Sequence, residues 1–185
     1  LYRDFFMEFL FKVFKNVKHE KIKQVVAKTK GVIQSYMSGL VLVILIVGTL
    51  NTISLLLLGI DHAFFFGFFA AFLVLIPYIG VAIGSLLPIM MAFITKDSAW
   101  YAFGVAASFG TIQFLEGNFI TPFIVGSKVS INSLIAIVSL ILFGTLWGIP
   151  GLILALPMTA ILKVIFDSVD ALKPFGYLFG AADHE

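Results

Sequence analysis

The sequence predicts an all-α, polytopic transmembrane helical bundle with broken or re-entrant helices and an N-terminal amphipathic helix. Three observations predict it. Apolar residues make up 61% of the 185 and charged residues only 12%, too few charges to wet a soluble surface. Uncharged runs long enough for helices follow one another from Met37 to Phe166, broken only by short polar turns and a few lone charges. Prolines and glycines fall inside those runs, where they bend or break a helix.

Residues 1–30 read as one amphipathic helix. Phe6, Leu10, Val13 and Val17 follow an i, i+4, i+7, i+11 spacing, with lysines between them. This segment holds eight of the twelve Lys/Arg against three acids, a net +5, while the rest of the chain has a net −3. A basic block beside a hydrophobic span predicts a cytoplasmic N-terminal side. Such a helix can lie on the lipid bilayer or pack on a partner. The membrane anchor that follows argues against nucleic acid as the partner. Leu1 is not a start methionine, so the chain is expected to be a piece of a longer protein.

Met37 to Ile60 contains no charge, and its 24 residues make about 36 Å of helix, enough to span. Asn51, Thr52 and Ser54 lie inside it and suit hydrogen bonds between helices. Asp61 and His62 form a polar turn. Residues 63–95 would be about 50 Å as one straight helix, so two short helices broken near Pro77-Tyr78-Ile79-Gly80 fit better. Lys96-Asp97-Ser98 is the next turn, and 99–115 spans again behind Trp100 and Tyr101. From Gln113 to Lys128 polar residues punctuate an apolar stretch, and Pro122 predicts a re-entrant or partly unwound segment. Residues 133–148 and 152–166 are further spans, separated by a tight Trp147-Gly148-Ile149-Pro150-Gly151 turn; Pro157 is expected to interrupt the last. The end of the chain reads as a short polar tail. These elements organise as a basic segment over 1–35, a transmembrane domain of about six spans over 36–167, and a cytoplasmic tail over 168–185. Six crossings from a cytoplasmic start return the chain to the cytoplasm.

An acid inside a membrane domain is costly unless it lines a polar cavity or meets a partner. Glu116 is therefore the leading site candidate, with Gln113 one turn before it and Asn118 and Thr121 close by. Pro122 would free backbone groups for a solute, and broken helices near mid-membrane build many transporter sites. Pro77 and Gly80 supply a second break facing the same path. Gly80-x-x-x-Gly84 and Gly144-x-x-x-Gly148 allow close helix approach. The chain has no cysteine, and it contains neither His-Glu-x-x-His nor Gly-x-Ser-Gly, so no enzyme, metal or cofactor is expected.

Pro77-Tyr78-Ile79-Gly80, then Gln113-x-x-Glu116-x-Asn118-x-x-x-Pro122-x-x-x-Gly126, then Gly148-x-x-Gly151-x-x-x-Ala155-x-Pro157 resemble the autoinducer-2 exporter family, permease-like bacterial inner-membrane proteins. The resemblance covers nearly all of 31–166. It implies a missing N-terminal half with further membrane helices, a cytoplasmic C-terminus, and a homo-oligomer, a pentamer being the suggested form. It also implies elevator-like movement, with export of autoinducer-2 in some members and sodium/proton antiport in others. One departure is visible: Ser130-Ile131-Asn132-Ser133 stands where the family often carries a proline. The expected function is secondary transport of a small polar solute, with a cation/proton antiporter and a non-transporting membrane scaffold as alternatives.

Overall fold

The computed structural model describes residues 2–14, 17–76, 79–124 and 131–180. Helices account for nearly all of them. α1 covers Tyr2–Val13 and α2 covers His19–Leu57. The single amphipathic helix expected over 1–30 is thus two. The first ends at Val13, and the second runs without interruption from its charged turns into the apolar span. The Phe11 ring stacks on His19 at 4.2 Å, which folds α1 onto the start of α2.

At 39 residues, α2 is about 58 Å long, roughly twice a bilayer core. It ends as the physics of a left-handed cap requires. Gly59 takes a φ of +65°, the Ile60 N–H reaches back to the Leu55 carbonyl, and Gly59 N–H bonds Leu56. Ile60 and Leu55 then pack together in one apolar cluster.

α3 (Ala63–Leu73) and α4 (Ile79–Thr95) form the expected pair of short helices. The first ends at Leu73, before Pro77, which lies outside the described residues. α2, α3 and α4 touch through small residues. A Cβ on Gly67 would fall 2.7 Å from the Thr52 backbone nitrogen, and one on Gly84 2.8 Å from Ala70 Cα. Without a solvophobic drive between helices in lipid, such close approach supplies the packing energy. α5 (Ala99–Leu115) closes this group, starting at Ser98, whose hydroxyl accepts from the Trp100 N–H at 3.3 Å. Val105 and Phe109 of α5 join Leu55, Ala63, Ala70 and Ala92 in the core.

The chain stays helical past Leu115. A π-helical turn spans Glu116–Ile120 and α6 spans Thr121–Ile124. The expected break at Pro122 is therefore a widened turn. Pro122 lies just after that turn inside the continuous helix, where it can donate no backbone hydrogen bond, and the Thr121 N–H bonds Glu116 in the i→i+5 pattern. Re-entry beyond Ile124 concerns residues outside the described ones, as do Gly126 and Lys128.

α7 (Ser133–Trp147) and α8 (Ile149–Ser168) make a second hairpin. Gly148 turns it with a φ of +65°. Gly151 lies so close to α7 that a Cβ would sit 1.8 Å from the Phe143 carbonyl oxygen. Ser139 and Thr159, both buried, hydrogen-bond across the hairpin at 2.7 Å. Pro157 does not interrupt α8. It is buried inside a continuous helix, where neighbouring helices hold the turn that lacks one hydrogen bond.

The C-terminal segment expected as a polar tail is folded. A 3₁₀ turn at Asp170–Leu172 leads into α9 (Lys173–Phe179), which returns against α8. Phe166 meets Phe175 and Phe179, and Asn132 ties α9 to the start of α7 by donating to the Leu178 carbonyl at 2.6 Å.

α2 is the spine. Its first half carries Val32 against Ala160 and Val164 of α8, while its second half carries α3 and α5. The outer surface is apolar: Leu57, Phe64, Ile94, Trp100, Phe123 and Leu146 are each well over half exposed. Exposed side chains of that size, on nearly every helix, fit a lipid surround. Among the described residues, α2 and α8 are the two helices long and apolar enough to cross a membrane by themselves.

Candidate functional site

Glu116 is buried, with 6% of its surface exposed, and it is the only buried acid among the described residues. Its position follows from two turns of apolar neighbours. Ile112 and Ile120, four residues before and after it, both pack on the Val43, Val47 and Ala71 cluster of α2 and α3. Glu116 shares that inward face. A carboxylate there cannot be left bare, and two side chains meet it. Gln113 Nε2 donates to Oε2 at 2.6 Å, and the Thr121 hydroxyl donates to Oε1.

Gln113 reaches Glu116 because α5 is regular between them, so the i, i+3 spacing puts both on one face. Thr121 reaches it for the opposite reason. Five positions along an α-helix correspond to about 140° around the axis, which would point the two side chains apart. The π turn takes up that difference and brings the hydroxyl onto the carboxylate. Single π turns of this kind recur where a helix must present a side chain for function.

The arrangement leaves chemistry in reserve. Each carboxylate oxygen has a further lone pair, the Thr121 oxygen can accept, and Gln113 retains its carbonyl. These groups can accept from hydroxyls or a cation and can give hydrogen bonds in return.

The other expected site residues are placed elsewhere. Asn118 is exposed and donates to the Phe114 carbonyl at 2.8 Å, one turn back on its own helix. Pro122 is exposed and shapes the turn without facing Glu116. Gly80 is buried in the α3–α4 hairpin, where a Cβ would fall 1.6 Å from the Leu73 carbonyl oxygen. It serves hairpin closure. Pro77 lies outside the described residues.

Of Asn51, Thr52 and Ser54, expected to bond between helices, the two hydroxyls bond within α2 instead. The Thr52 hydroxyl donates to Gly48 at 2.7 Å and the Ser54 hydroxyl to Asn51 at 2.8 Å, both within α2. Asn51 is buried and its Oδ1 has no hydrogen-bond partner among the described residues. Sequence reasoning did not find this orphan acceptor, nor the Ser139–Thr159 pair. The only available signal was a polar residue at core spacing in an apolar helix.

Comparison with known proteins bears on what such a bundle does. The Bacillus subtilis protein named "Putative transport protein YrrI" is 35% identical over 130 residues, covering 70% of this chain and 36% of its own length. "Putative transport protein YueF" of the same organism is 32% identical over 136 residues, 73% of this chain and 36% of that protein. "AI-2 transport protein TqsA" of Escherichia coli K12 is 30% identical over 123 residues, 66% of this chain and 36% of that protein. The chain therefore spans little more than a third of the length of these curated relatives. A family model described as AI-2E family transporter matches residues 1–171, nearly the whole chain. On that match, and on an apolar helical bundle that encloses one carboxylate, the chain belongs to the AI-2E transporter family.

Proposed function

We propose that the protein is a secondary transporter for a small polyhydroxylated solute of the autoinducer-2 kind, and that Glu116 lies on the solute's path. The observation that carries this reading is a buried carboxylate with spare acceptor capacity, set in a π turn and flanked by Gln113 and Thr121. Hydroxyl groups pair well with carboxylate and amide oxygens in an otherwise apolar wall. A relative named for AI-2 transport adds support for the solute class.

The basic first turns of α2 support a cytoplasmic placement of that end in a bacterial inner membrane. A second reading, sodium/proton antiport, draws on the same residue, because a buried carboxylate with spare lone pairs can hold a cation.

The test is flux in proteoliposomes holding the full-length protein, wild type beside Glu116→Gln, with autoinducer-2 and with sodium under an imposed pH gradient. Solute flux that falls about tenfold or more in the variant, as expected for one lost charge-assisted hydrogen bond, supports the proposal. Sodium-dependent proton flux without solute flux selects antiport. Equal flux in both proteins removes Glu116 from the path. A folded protein that carries neither species favours a scaffold.

A further inference from the structure

The π turn at Glu116–Ile120 and the proline that follows it act together on one backbone group. In an α-helix the Gly117 carbonyl would accept from the N–H of Thr121, four residues on. That N–H is turned to the Glu116 carbonyl instead. In the wider π register the donor to Gly117 would be residue 122, five residues on, and proline has no N–H. The Gly117 oxygen therefore keeps neither of its helical donors. Either feature alone would leave it one. The polar side chains of the turn are committed elsewhere, because the Thr121 hydroxyl gives its proton to Glu116 and Asn118 Nδ2 donates to the Phe114 carbonyl.

This acceptor stands next to the candidate site and is easier to reach. Helix carbonyls point toward the C-terminal end, so the Gly117 oxygen points toward residues 121 and 122. Thr121 is the residue whose hydroxyl holds the Glu116 carboxylate. Glu116 is buried and Thr121 half-buried, while Gly117 and Pro122 are exposed. A Cβ on Gly117 would meet nothing within 4 Å, so the turn leaves room beside its backbone. A backbone acceptor without a donor is costly in hydrocarbon, and irregular backbone persists at membrane depth where it lines a polar cavity.

Resting on the transport reading above, we propose that the Gly117 carbonyl is a second acceptor on the solute's path, taking one hydroxyl while Glu116 takes another, and that Pro122 is the positioning residue that keeps this carbonyl unbonded. Two acceptors favour a solute with at least two donor hydroxyls over one with a single hydroxyl. The carbonyl is uncharged and does not titrate, so its contribution does not depend on the charge of Glu116.

Pro122→Ala tests this, because it returns an N–H to position 122 and alters no side chain that touches Glu116. The new N–H closes the Gly117 carbonyl itself, or lets the turn return to α so that the Thr121 N–H closes it. Autoinducer-2 flux is measured against solute concentration in proteoliposomes holding the full-length protein, wild type beside Pro122→Ala, with thermal midpoints and amide exchange of both. The expected result is a protected amide at position 122, a midpoint at or above wild type, and a half-saturating solute concentration raised about fivefold, as for one lost hydrogen bond, with maximal flux less affected. The same substitution made in Thr121→Val should raise the half-saturating concentration again. No further change in that background would show that Pro122 acts only by placing Thr121, and would overturn the inference. An unchanged half-saturating concentration in a variant with a protected amide also overturns it and leaves the Glu116 reading standing. A freely exchanging amide at position 122 overturns it too, because the carbonyl was then not open to a donor. Wild-type protein that carries no autoinducer-2 removes the transport reading, and this inference falls with it.

Discussion

The Thr121 hydroxyl donates to the Glu116 carboxylate across five residues of sequence, a contact that exists because the chain widens into a π turn between them. A buried carboxylate depends on such donors more than a neutral group does. Thr121→Val removes the hydroxyl at nearly constant volume. It should lower stability by about 1.5–3 kcal/mol, the range for a hydrogen bond to a charged group. Thr121→Ser should restore most of that. Thermal unfolding in detergent reads the difference, and equal midpoints for the Val and Ser variants would show that the carboxylate does not need this donor.

Two glycines close the two hairpins, and a third glycine provides an internal control. A Cβ at Gly80 would lie 1.6 Å from the Leu73 carbonyl oxygen, and one at Gly151 1.8 Å from that of Phe143. Neither obstacle is a flexible side-chain end, so the backbones must separate. Gly80→Ala and Gly151→Ala should each cost about 1–3 kcal/mol or more. A Cβ at Gly110 would meet nothing within 4 Å, so Gly110→Ala should be neutral or stabilise by up to about 1 kcal/mol through helix propensity. Thermal midpoints measured side by side should place the Gly110 variant at or above wild type and the other two well below it.

Much of this arrangement was legible in the sequence because charge marks helix ends in an apolar chain. The turns at Asp61-His62 and Lys96-Asp97-Ser98 fall between helices as expected, and Gln113 pairs with Glu116 at the expected spacing. The errors came from treating proline as a local rule. Pro122 follows a π turn that carries the helix through it, and Pro157 is buried in α8, on which α2 and α7 pack. Asn118 carried the right chemistry on the wrong face, because the π turn that aims Thr121 inward has no signature in composition. The folding of α9 was also hidden. It rests on contacts between distant residues, such as Asn132 with Leu178 and Phe166 with Phe179, which periodicity does not report.

The α9 junction should respond to pH at both extremes. The Lys173 ammonium donates to Asp170 and, with the charge of Lys21, holds its carboxyl below the ordinary 3.8. Asp170 in turn raises Lys173 above the ordinary 10.5. A depressed carboxyl stabilises the fold above its unfolded value and stops doing so as pH falls through the folded one. A raised lysine stabilises below its unfolded value and stops as pH rises through the folded one. Protection of the α9 amides should therefore be flat between these limits and fall outside them, with hydrogen exchange corrected for intrinsic rates as the measurement. Both groups are exposed, so the effect should be small and weakened by salt. Asp170→Asn should flatten the acid limb, and an unchanged acid limb would place its cause elsewhere.

Asn51 separates structural from transport roles most cleanly. It lies on the α2 stripe of Val43, Val47 and Leu55, all of them buried, and its Oδ1 is buried with no hydrogen-bond partner among the described residues. An unpaired buried acceptor costs about 1–3 kcal/mol. A leucine of similar volume would continue the stripe without that penalty. Asn51→Leu should therefore raise the unfolding temperature in detergent. If it also lowers solute flux in proteoliposomes, the stabilised variant has lost function without losing its fold, and the amide belongs to the transport path proposed for Glu116. If flux is unchanged, Asn51 is a packing residue that the bundle tolerates. A fall in stability would show instead that the amide makes a bond essential to the fold, and the account of Asn51 as an orphan would be wrong.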